Sequence, residues 1–288
     1  MARTVIGYTG WETGVITTAA GSDGWGTSVS GSGTATIETT NKRNGNYSVK
    51  LATAGSAGTS FLGNNTANEW TSVLGENFWM RIYFKSSDNP GSIINILRVW
   101  KSNAVLGSIR LNTDGTLGLY DSTGTLRGSN STATVTDGNW HRIELFYSLQ
   151  PGIPSGQNQI IGGHLDGVQW TGSKATSGAT SDLSVRMEAG YIDSPGNNKT
   201  AYIDDICVVK GVGYGVGLDT GASKILNLVP NALGNANAWD TLNPSSPTNR
   251  WDNIDDIPVT TTGYIQETTT TAKKEQFNLT SKLVGCHF

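Results

Sequence analysis

The sequence predicts an all-β protein, a two-sheet antiparallel sandwich, and three observations carry this prediction. Short apolar runs alternate with turn signals over the first 210 residues, a pattern typical of all-β chains. Glycine accounts for 37 of the 288 residues and only 15% of the residues are charged, which argues against the long helix-forming runs of bundles and coiled coils. No segment sustains an i, i+3, i+4 apolar pattern between helix caps.

Ten apolar runs predict strands. In chain order they are Thr4–Tyr8, Tyr47–Ala52, Asn77–Lys85, Ile93–Lys101, Gly107–Asn112, Leu117–Asp121, Asn139–Tyr147, Gln159–Leu165, Leu183–Gly190 and Lys199–Lys210. Asp-Gly pairs favour tight hairpins because both residues tolerate a positive φ. The pairs Asp114-Gly115 and Asp166-Gly167 therefore predict two hairpins.

Period-2 alternation assigns the two faces of a strand. In the third run one face carries Phe78, Met80, Ile82 and Phe84, and the other carries Trp79, Arg81, Tyr83 and Lys85. About ten such strands over roughly 200 residues suit two stacked sheets whose inner faces form the core.

The composition changes after Lys210, where the glycine-punctuated connector Gly211–Gly217 begins. The sequence therefore predicts two parts, residues 1–214 and residues 215–288. The second part has about 70 residues, which is small for a core of its own. We expect it to need a partner.

Charge and cysteine usage limit the partners and the compartment. The net charge is −3 and the 20 Lys and Arg are scattered, so a nucleic-acid partner is not expected. No run approaches the ~20 apolar residues of a membrane helix, and the first residues lack a secretion signal. We therefore expect synthesis in a cytoplasm, with Cys207 and Cys286 as free thiols, too few to bind zinc.

Three motifs in the first part resemble one family. Gly10–Gly14 (GWETG) resembles its opening strand, Asp137–Glu144 (DGNWHRIE) a central strand, and Tyr202–Val208 (YIDDICV) its closing strand. In their order and spacing, residues 1–210 resemble a concanavalin A-like, laminin G-like jelly roll. The fold hosts lectins, carbohydrate-binding modules, lyases, glycosidases and virion proteins, so this resemblance does not fix a function.

The second part resembles a module of tailed-bacteriophage structural proteins. The segments that carry the resemblance are Leu228–Ala232, Ala238–Asp240, Asn249–Pro258, Gly263–Ile265 and Lys274–Leu279. The resemblance implies that residues 215–288 dock on other virion subunits, a major capsid or tail protein. Four aromatic residues are the expected assembly interface: Trp239, Trp251, Tyr264 and Phe277.

No catalytic motif is evident along single strands. The E-x-D-x-x-E pattern of related glycosidases is absent, although paired carboxylates are what retaining hydrolysis requires. Tyr83-Phe84-Lys85 echoes a lyase motif, but the matching Gln-x-His is missing. We interpret His141 and His164 as strand residues rather than catalytic bases and expect a protein that is not an enzyme.

Carboxylates at the two ends of the first part suggest a metal site. If the first and last strands pair, as in many jelly rolls, Glu12 comes close to Asp204 and Asp205. Carboxylates at one sheet edge suit a hard cation, and calcium is the one cofactor considered. The alternative is that these carboxylates accept hydrogen bonds from loop amides.

Aromatic and arginine residues suggest a sugar-binding surface. Trp100 and Arg98 share a strand face with Ile96, and Tyr120 and Trp170 are placed to line the same curved sheet. Aromatic faces stack on sugar rings, and arginine supplies directional hydrogen bonds. The alternative is that these aromatic residues cover a protein interface.

The leading hypothesis is therefore a non-enzymatic structural protein of a tailed-phage virion, a capsid decoration or tail-associated protein made in the host bacterial cytoplasm. It would form a homo-oligomer or a complex with a shell or tail protein, without nucleic acid or membrane. The second hypothesis is a carbohydrate-binding or host-adhesion module that recognises a surface glycan. The third is a polysaccharide lyase or hydrolase.

Overall fold

The computed structural model describes most of the first part of the chain and short pieces of the second. The described residues are 4–11, 14–16, 25–54, 58–64, 70–72, 76–101, 104–149, 159–176, 183–196, 198–212, 230–233, 241–243, 264–266 and 277–279. All regular elements among them are strands. Within these ranges there is no helix that could span a membrane.

The strands of the first part follow closely in sequence. They are β1 (Thr4–Thr9), β2 (Trp25–Ser30), β3 (Gly33–Glu38), β4 (Ser48–Thr53), β5 (Thr59–Asn64), β6 (Trp70–Ser72), β7 (Glu76–Ser86), β8 (Ile94–Lys101), β9 (Ala104–Leu111), β10 (Leu117–Asp121), β11 (His141–Leu149), β12 (Gln159–Leu165), β13 (Val168–Thr176), β14 (Leu183–Tyr191) and β15 (Lys199–Val212).

These strands form two antiparallel sheets, which confirms the predicted all-β sandwich. The eight-stranded sheet has the order β13-β12-β11-β7-β15-β4-β3, and β1 also pairs with β15. The seven-stranded sheet has the order β10-β9-β8-β14-β5-β2, and β6 also pairs with β14. The pairing of β1 with β15 confirms the expectation that the first and last strands of this part are neighbours.

The two Asp-Gly hairpins are confirmed. Asp166 and Gly167 join β12 to β13 with φ values of 52° and 87°, the positive values that a two-residue hairpin turn needs. Gly115, with a φ of 85°, lies in the turn between β9 and β10, where the Asn112 N–H donates to the Thr116 carbonyl at 2.8 Å.

The inner faces of the two sheets form one core, as the alternation predicts. In β7 one of the two predicted faces, formed by Phe78, Met80, Ile82 and Phe84, is fully buried and packs with the inner residues of β8, β9, β11 and β14. Transfer of this apolar surface out of water is the main favourable term in folding.

A β-bulge in β8 changes the predicted faces. The register of β8 against β9 shifts between Asn95 and Leu97, and both Ile96 and Leu97 are fully buried in the core. The expectation that Ile96 shares a face with Trp100 and Arg98 is therefore wrong, because a bulge inserts one residue and inverts the alternation that precedes it.

A second bulge lies in β15. Its register against β7 shifts between Asp204 and Cys207, and Asp205 has a φ of 46°, which is uncommon for a residue other than glycine. Ile203 and Ile206 both face the core. The two aspartates between them therefore share the outer face of the eight-stranded sheet.

The second part contributes four short strands. β16 (Pro230–Leu233) pairs with β19 (Phe277–Leu279), and β17 (Thr241–Asn243) pairs with β18 (Tyr264–Gln266). The domain boundary after residue 214 and the dependence of residues 215–288 on a partner stay predictions.

The expectation of free thiols is wrong for Cys207, which is disulfide-bonded. The chain's other cysteine, Cys286, lies outside the described residues. Free Cys is only the usual state in a reducing compartment, so the sequence-based prediction rested on the assumed compartment.

Gly33 lies directly against the backbone of Thr59 and Ser30, which belong to the other sheet, and this close approach generates a test. A Cβ atom added there would meet the Thr59 carbonyl carbon at 2.7 Å and the Ser30 carbonyl oxygen at 3.1 Å. Both are backbone atoms that no side-chain rotation can move. We expect Gly33→Ala to lower the free energy of unfolding by about 1–3 kcal/mol, measured from urea midpoints. The matched control is Gly91→Ala, where the nearest atom to the new Cβ lies at 3.7 Å; equal effects of the two changes would contradict the packing described here.

Candidate functional site

The outer face of the eight-stranded sheet carries an unusual concentration of buried polar groups. Its members come from β7, β11, β15 and the loop between β3 and β4. They are Arg43, Arg81, Tyr83, Arg142, Glu144, Asp204 and Asp205, and we call them the charged cluster. All except Arg43 are at least nine-tenths buried. A second apolar group lies on the same face: Trp79, Phe146, Ile160, Cys207 and Val209.

Strand register brings the charged cluster together. Tyr83 of β7 is paired with Arg142 of β11 on one side and with Asp204 of β15 on the other. Two residues earlier in β7, Arg81 is paired with Glu144 of β11. Side chains directly opposite each other on one face are close neighbours in a sheet, so three strands deliver the cluster to one place.

Arg43 reaches over this face from the loop between β3 and β4. Its guanidinium carbon lies 3.5 Å from the centre of the Tyr83 ring, and its Nη1 donates to Asp205 Oδ2 at 2.6 Å. Its backbone N–H donates to Asp204 Oδ2 at 3.0 Å. One arginine therefore covers the tyrosine and engages both aspartates.

Tyr83 is the member whose polar atom lacks a partner. The side chain is 5% exposed, and among the described groups its hydroxyl has no hydrogen-bond partner. Burial raises the pKa of Tyr83, while the positive charges of Arg43, Arg81 and Arg142 lower it in part. Burial also lowers the pKa of Arg81. A titratable group perturbed by burial and by named charges is a candidate for function.

Asp204 and Asp205 are held by the protein itself. Burial, and then the neighbouring Asp205 carboxylate, raise the pKa of Asp204. Besides the Arg43 amide, the Asn44 amide lies 3.5 Å from Asp204 Oδ2. These contacts match the alternative in which the carboxylates accept hydrogen bonds from loop amides.

Calcium at this edge stays a prediction. The third proposed ligand, Glu12, lies outside the described residues. Within the described part of the chain, no group of three His, Cys, Asp or Glu side chains is placed to hold a metal ion.

His164 belongs to the same face as the charged cluster. It is paired with Glu144 across β11 and β12, its ring centre lies 5.0 Å from that of Trp79, and it is 7% exposed. The sequence interpretation treated it as a plain strand residue. Alternation along β7 and β11 gave the faces, but only the register between strands places His164 beside Glu144, in the same row across the sheet as Arg81.

His141 occupies a different place, at the end of the β12–β13 hairpin. Its Nδ1 lies 2.8 Å from Asp166 Oδ2, and its Nε2 lies 2.9 Å from Asp137 Oδ1. The hydrogen bond with Asp166 is the main cause that raises the pKa of His141. With both ring nitrogens engaged by carboxylates, His141 tethers two turns, which supports its structural interpretation.

The predicted sugar-binding residues are only partly brought together. Trp100 and Arg98 lie on the outer face of the seven-stranded sheet, with the Arg98 guanidinium carbon 4.5 Å from the Trp100 ring centre. Tyr120 lies on that face two strands away, is 8% exposed and is covered by Arg110 at 4.1 Å. Trp170 lies in β13 of the other sheet and packs against the core, so it does not join them.

The side chains of the predicted assembly interface lie outside the described part of the protein. Trp239 and Trp251 lie outside the described residues, and of Tyr264 and Phe277 only the strands β18 and β19 are described. Their role stays a prediction.

No protein-family model matches the chain, and no curated protein matches its sequence. Solved structures with a similar fold include an endo-β-1,4-glucuronan lyase from the fungus Trichoderma reesei, at 15% identity and a TM-score of 0.48 over 65% of this chain and 91% of that one. The cellulose-induced protein Cip1 is 16% identical, with a TM-score of 0.49, and the match covers 70% of this chain and 95% of Cip1. A carbohydrate esterase from the Shiga toxin-encoding bacteriophage phi24B is 17% identical, with a TM-score of 0.45, and the match covers 72% of this chain and 99% of the esterase.

These likenesses concern the fold, and no residue role is carried over from them. They nevertheless correct one expectation. The prediction that the chain is not an enzyme is contradicted to this extent: the solved structures with a similar fold include polysaccharide lyases, three alginate lyases among them, and a carbohydrate esterase. The sequence argument had searched for catalytic patterns along single strands, whereas the charged cluster is assembled across three.

The two aspartates of the bulge generate different expectations. Asp205→Asn removes the charge that Arg43 faces, and we expect a loss of at least about 2 kcal/mol in the free energy of unfolding at neutral pH. Asp204→Asn removes a carboxyl group whose ionised form is disfavoured by burial, but it keeps only one oxygen for the two N–H groups, of Arg43 and Asp205, from which Asp204 accepts. We therefore expect a smaller loss, of about 1 kcal/mol.

The pH dependence of Asp204→Asn checks the sign. An acid whose pKa is raised on folding contributes most stability below its ordinary value of 3.8 and loses that contribution as the pH rises above it. The wild type should therefore lose stability relative to Asp204→Asn between about pH 4 and neutral pH. Urea titrations at several pH values measure this. A stability difference between the two proteins that does not change with pH would show that folding does not raise the pKa of Asp204.

The environment of His141 generates a further test. Because its pKa is raised above the ordinary 6.5, its contribution to stability is complete below that value and is lost as the pH rises through the raised pKa. We expect wild type to exceed His141→Gln in stability most at acidic pH, with the gap closing above neutrality. NMR titration of the imidazole should give a lower pKa in Asp166→Asn than in wild type, and an unchanged pKa would refute the assigned contact.

Proposed function

We propose that the protein cleaves an acidic polysaccharide by β-elimination at the charged cluster. The observation that carries the proposal is the buried Tyr83 hydroxyl, which has no hydrogen-bond partner among the described groups and lies among Arg43, Arg81 and Arg142. A proton donor held next to fixed positive charges suits a reaction in which negative charge develops on the substrate.

The arginines favour a substrate that carries carboxylates. The guanidinium group pairs with carboxylates through two parallel hydrogen bonds and stays charged when buried. In a uronic acid chain, the carboxylate next to C5 must be neutralised before C5 gives up its proton. Arg142, which is paired with Tyr83 in the sheet, is in the position to do this.

The roles of the side chains follow from the bonds that change. A base takes the C5 proton, the C4–O bond breaks, a C4=C5 double bond forms, and the leaving oxygen takes a proton. We assign the last proton to Tyr83, whose raised pKa keeps it protonated at neutral pH. His164 is the imidazole on the same face of the sheet, and we assign the C5 proton to it.

Hydrolysis by two carboxylates is disfavoured by the way the carboxylates are held. Retaining and inverting glycosidases need one carboxyl group as an acid and a second, free one as a nucleophile or base. Glu144 Oε2 lies 3.8 Å from Arg142 Nε, and Asp205 is paired with Arg43. β-Elimination does not need a second free carboxylate, because the negative charge that develops on the substrate is stabilised by cations.

Access to Tyr83 requires Arg43 to move. The guanidinium group lies on the ring face, and the phenol is almost fully buried. A substrate carboxylate offers Arg43 a partner in place of Asp205. We therefore include in the proposal an opening of the loop between β3 and β4 when the polymer binds.

A place in a phage particle stays a sequence-based prediction, and so do homo-oligomer formation and docking on a capsid or tail protein. An enzyme that degrades a surface polysaccharide is compatible with such a location.

The proposal is tested by incubating the protein with alginate, glucuronan and hyaluronan and following the ultraviolet absorbance of the unsaturated product. We expect Tyr83→Phe to reduce kcat by about 10²-fold or more, the usual contribution of a positioned acid. Its melting temperature should stay close to that of the wild type, because the lost hydroxyl makes no hydrogen bond.

The matched control is Tyr202→Phe, which removes a partly exposed phenol from β15 and should leave kcat unchanged. Equal kcat values for Tyr83→Phe and wild type would remove Tyr83 from the mechanism. A wild type that releases no unsaturated product from any of the three polymers contradicts the proposed reaction.

A further inference from the structure

The outer face of the seven-stranded sheet carries a second group of arginines, two of which have no acidic partner. Arg98 lies on β8, Arg110 on β9 and Arg186 on β14. Glu188 and Asp193 are the nearby carboxylates, and both already accept hydrogen bonds. We call this set, together with Trp100, the arginine face.

Arg186 and Arg110 are the members without an acidic partner. No carboxylate among the described residues lies within ion-pair distance of either. Arg186 Nε is buried and has no hydrogen-bond acceptor in the described part of the chain, although the residue as a whole is partly exposed. A guanidinium group in this state gains strongly from an anionic ligand, because charge-assisted hydrogen bonds are the strong ones.

Aromatic rings and neighbouring side chains hold these arginines in place. The Arg186 guanidinium carbon lies 5.1 Å from the Trp100 ring centre, and Arg110 lies over the Tyr120 ring while its Nε donates to Asn95 Oδ1 at 3.2 Å. Such cation–π contacts orient a guanidinium without neutralising it. The donors are thus prearranged, which lowers the entropic cost of binding.

Glu188 fixes the centre of the arginine face. Its Oε2 accepts from Arg98 Nε at 2.8 Å and from Trp100 Nε1 at 2.5 Å. Arg98 is therefore neutralised and acts as a support for the Trp100 ring. Trp100 itself is partly exposed and presents aromatic surface directly beside Arg186.

We propose that the arginine face binds an acidic saccharide chain, with Arg186 and Arg110 pairing with carboxylate or sulfate groups and Trp100 packing against a sugar ring. Arg186 is level with Trp100 and Val105, whereas Arg110 lies five residues further along β9. With two strand spacings between β14 and β9, the backbones of the two arginines are therefore about 20 Å apart. This separation matches an oligosaccharide with repeated anionic groups rather than a single small anion. The proposal does not rest on the proposed function, because the charged cluster lies on the other sheet.

A saccharide suits the face better than nucleic acid does. Three arginines against two carboxylates give a small positive excess, on a chain whose net charge is −3. Nucleic-acid binding draws on many phosphate contacts along a basic groove. A short charged strip beside one aromatic ring is instead the arrangement that stacking and directional pairing with a sugar acid require.

The test uses isothermal titration of the full-length chain with four probes: a heparin oligosaccharide, an oligoguluronate, a neutral dextran oligosaccharide and a DNA duplex. We expect one or both acidic oligosaccharides to bind and dextran not to bind. Comparison of heparin with oligoguluronate distinguishes recognition of sulfate from recognition of carboxylate. Arg186→Gln and Arg110→Gln should each weaken binding about tenfold, the loss of one charge-assisted pair.

The matched control is Lys199→Gln, which removes one positive charge from the eight-stranded sheet and should leave the affinity within about twofold. Wild-type affinity in the Arg110→Gln, Arg186→Gln double variant would overturn the proposal. Absence of binding to both acidic probes, equal binding of dextran, or tighter binding of DNA would overturn it too.

Discussion

The buried carboxylates of the β15 bulge are the constraint on which the outer face of the eight-stranded sheet depends. The bulge turns Asp204 and Asp205 to the same side, and neither can stay charged away from water without compensation. Arg43 supplies that compensation by reaching both of them. The loop that carries Arg43 is thereby drawn across the sheet and over Tyr83.

Charge burial on this scale is not explained by stability. Replacing a buried ion pair with packed apolar residues is often neutral or stabilising. The same face of the sheet already contains such apolar packing, since the ring centres of Trp79 and Phe146 lie 4.9 Å apart. One end of the face is thus apolar and the other holds Arg81 and Glu144 fully buried. Buried titratable clusters of this kind concentrate at functional sites, which is why the proposed chemistry is placed there.

The two outer faces of the sandwich are built on different principles. On the eight-stranded sheet, arginines are paired and covered. On the seven-stranded sheet, Arg186 and Arg110 are partly exposed, and rings rather than acids hold them. The two proposed roles complement each other, because a polymer bound at an open face has a higher effective concentration at the buried one. The rigid core between the sheets keeps the two faces in fixed relation.

The sequence by itself determined the fold class, the two faces of β7 and the Asp166-Gly167 hairpin, since alternation and turn chemistry act between residues close in the chain. It did not reveal β2, β3 or β5, whose Ser, Thr and Gly residues carry little apolar alternation and are ordered by pairing with distant strands. Only the tertiary structure decided the bulges, which put Ile96 in the core, and the register that joins Tyr83 to Arg142. Registers and bulges depend on contacts between residues far apart in sequence, and local patterns carry no record of them.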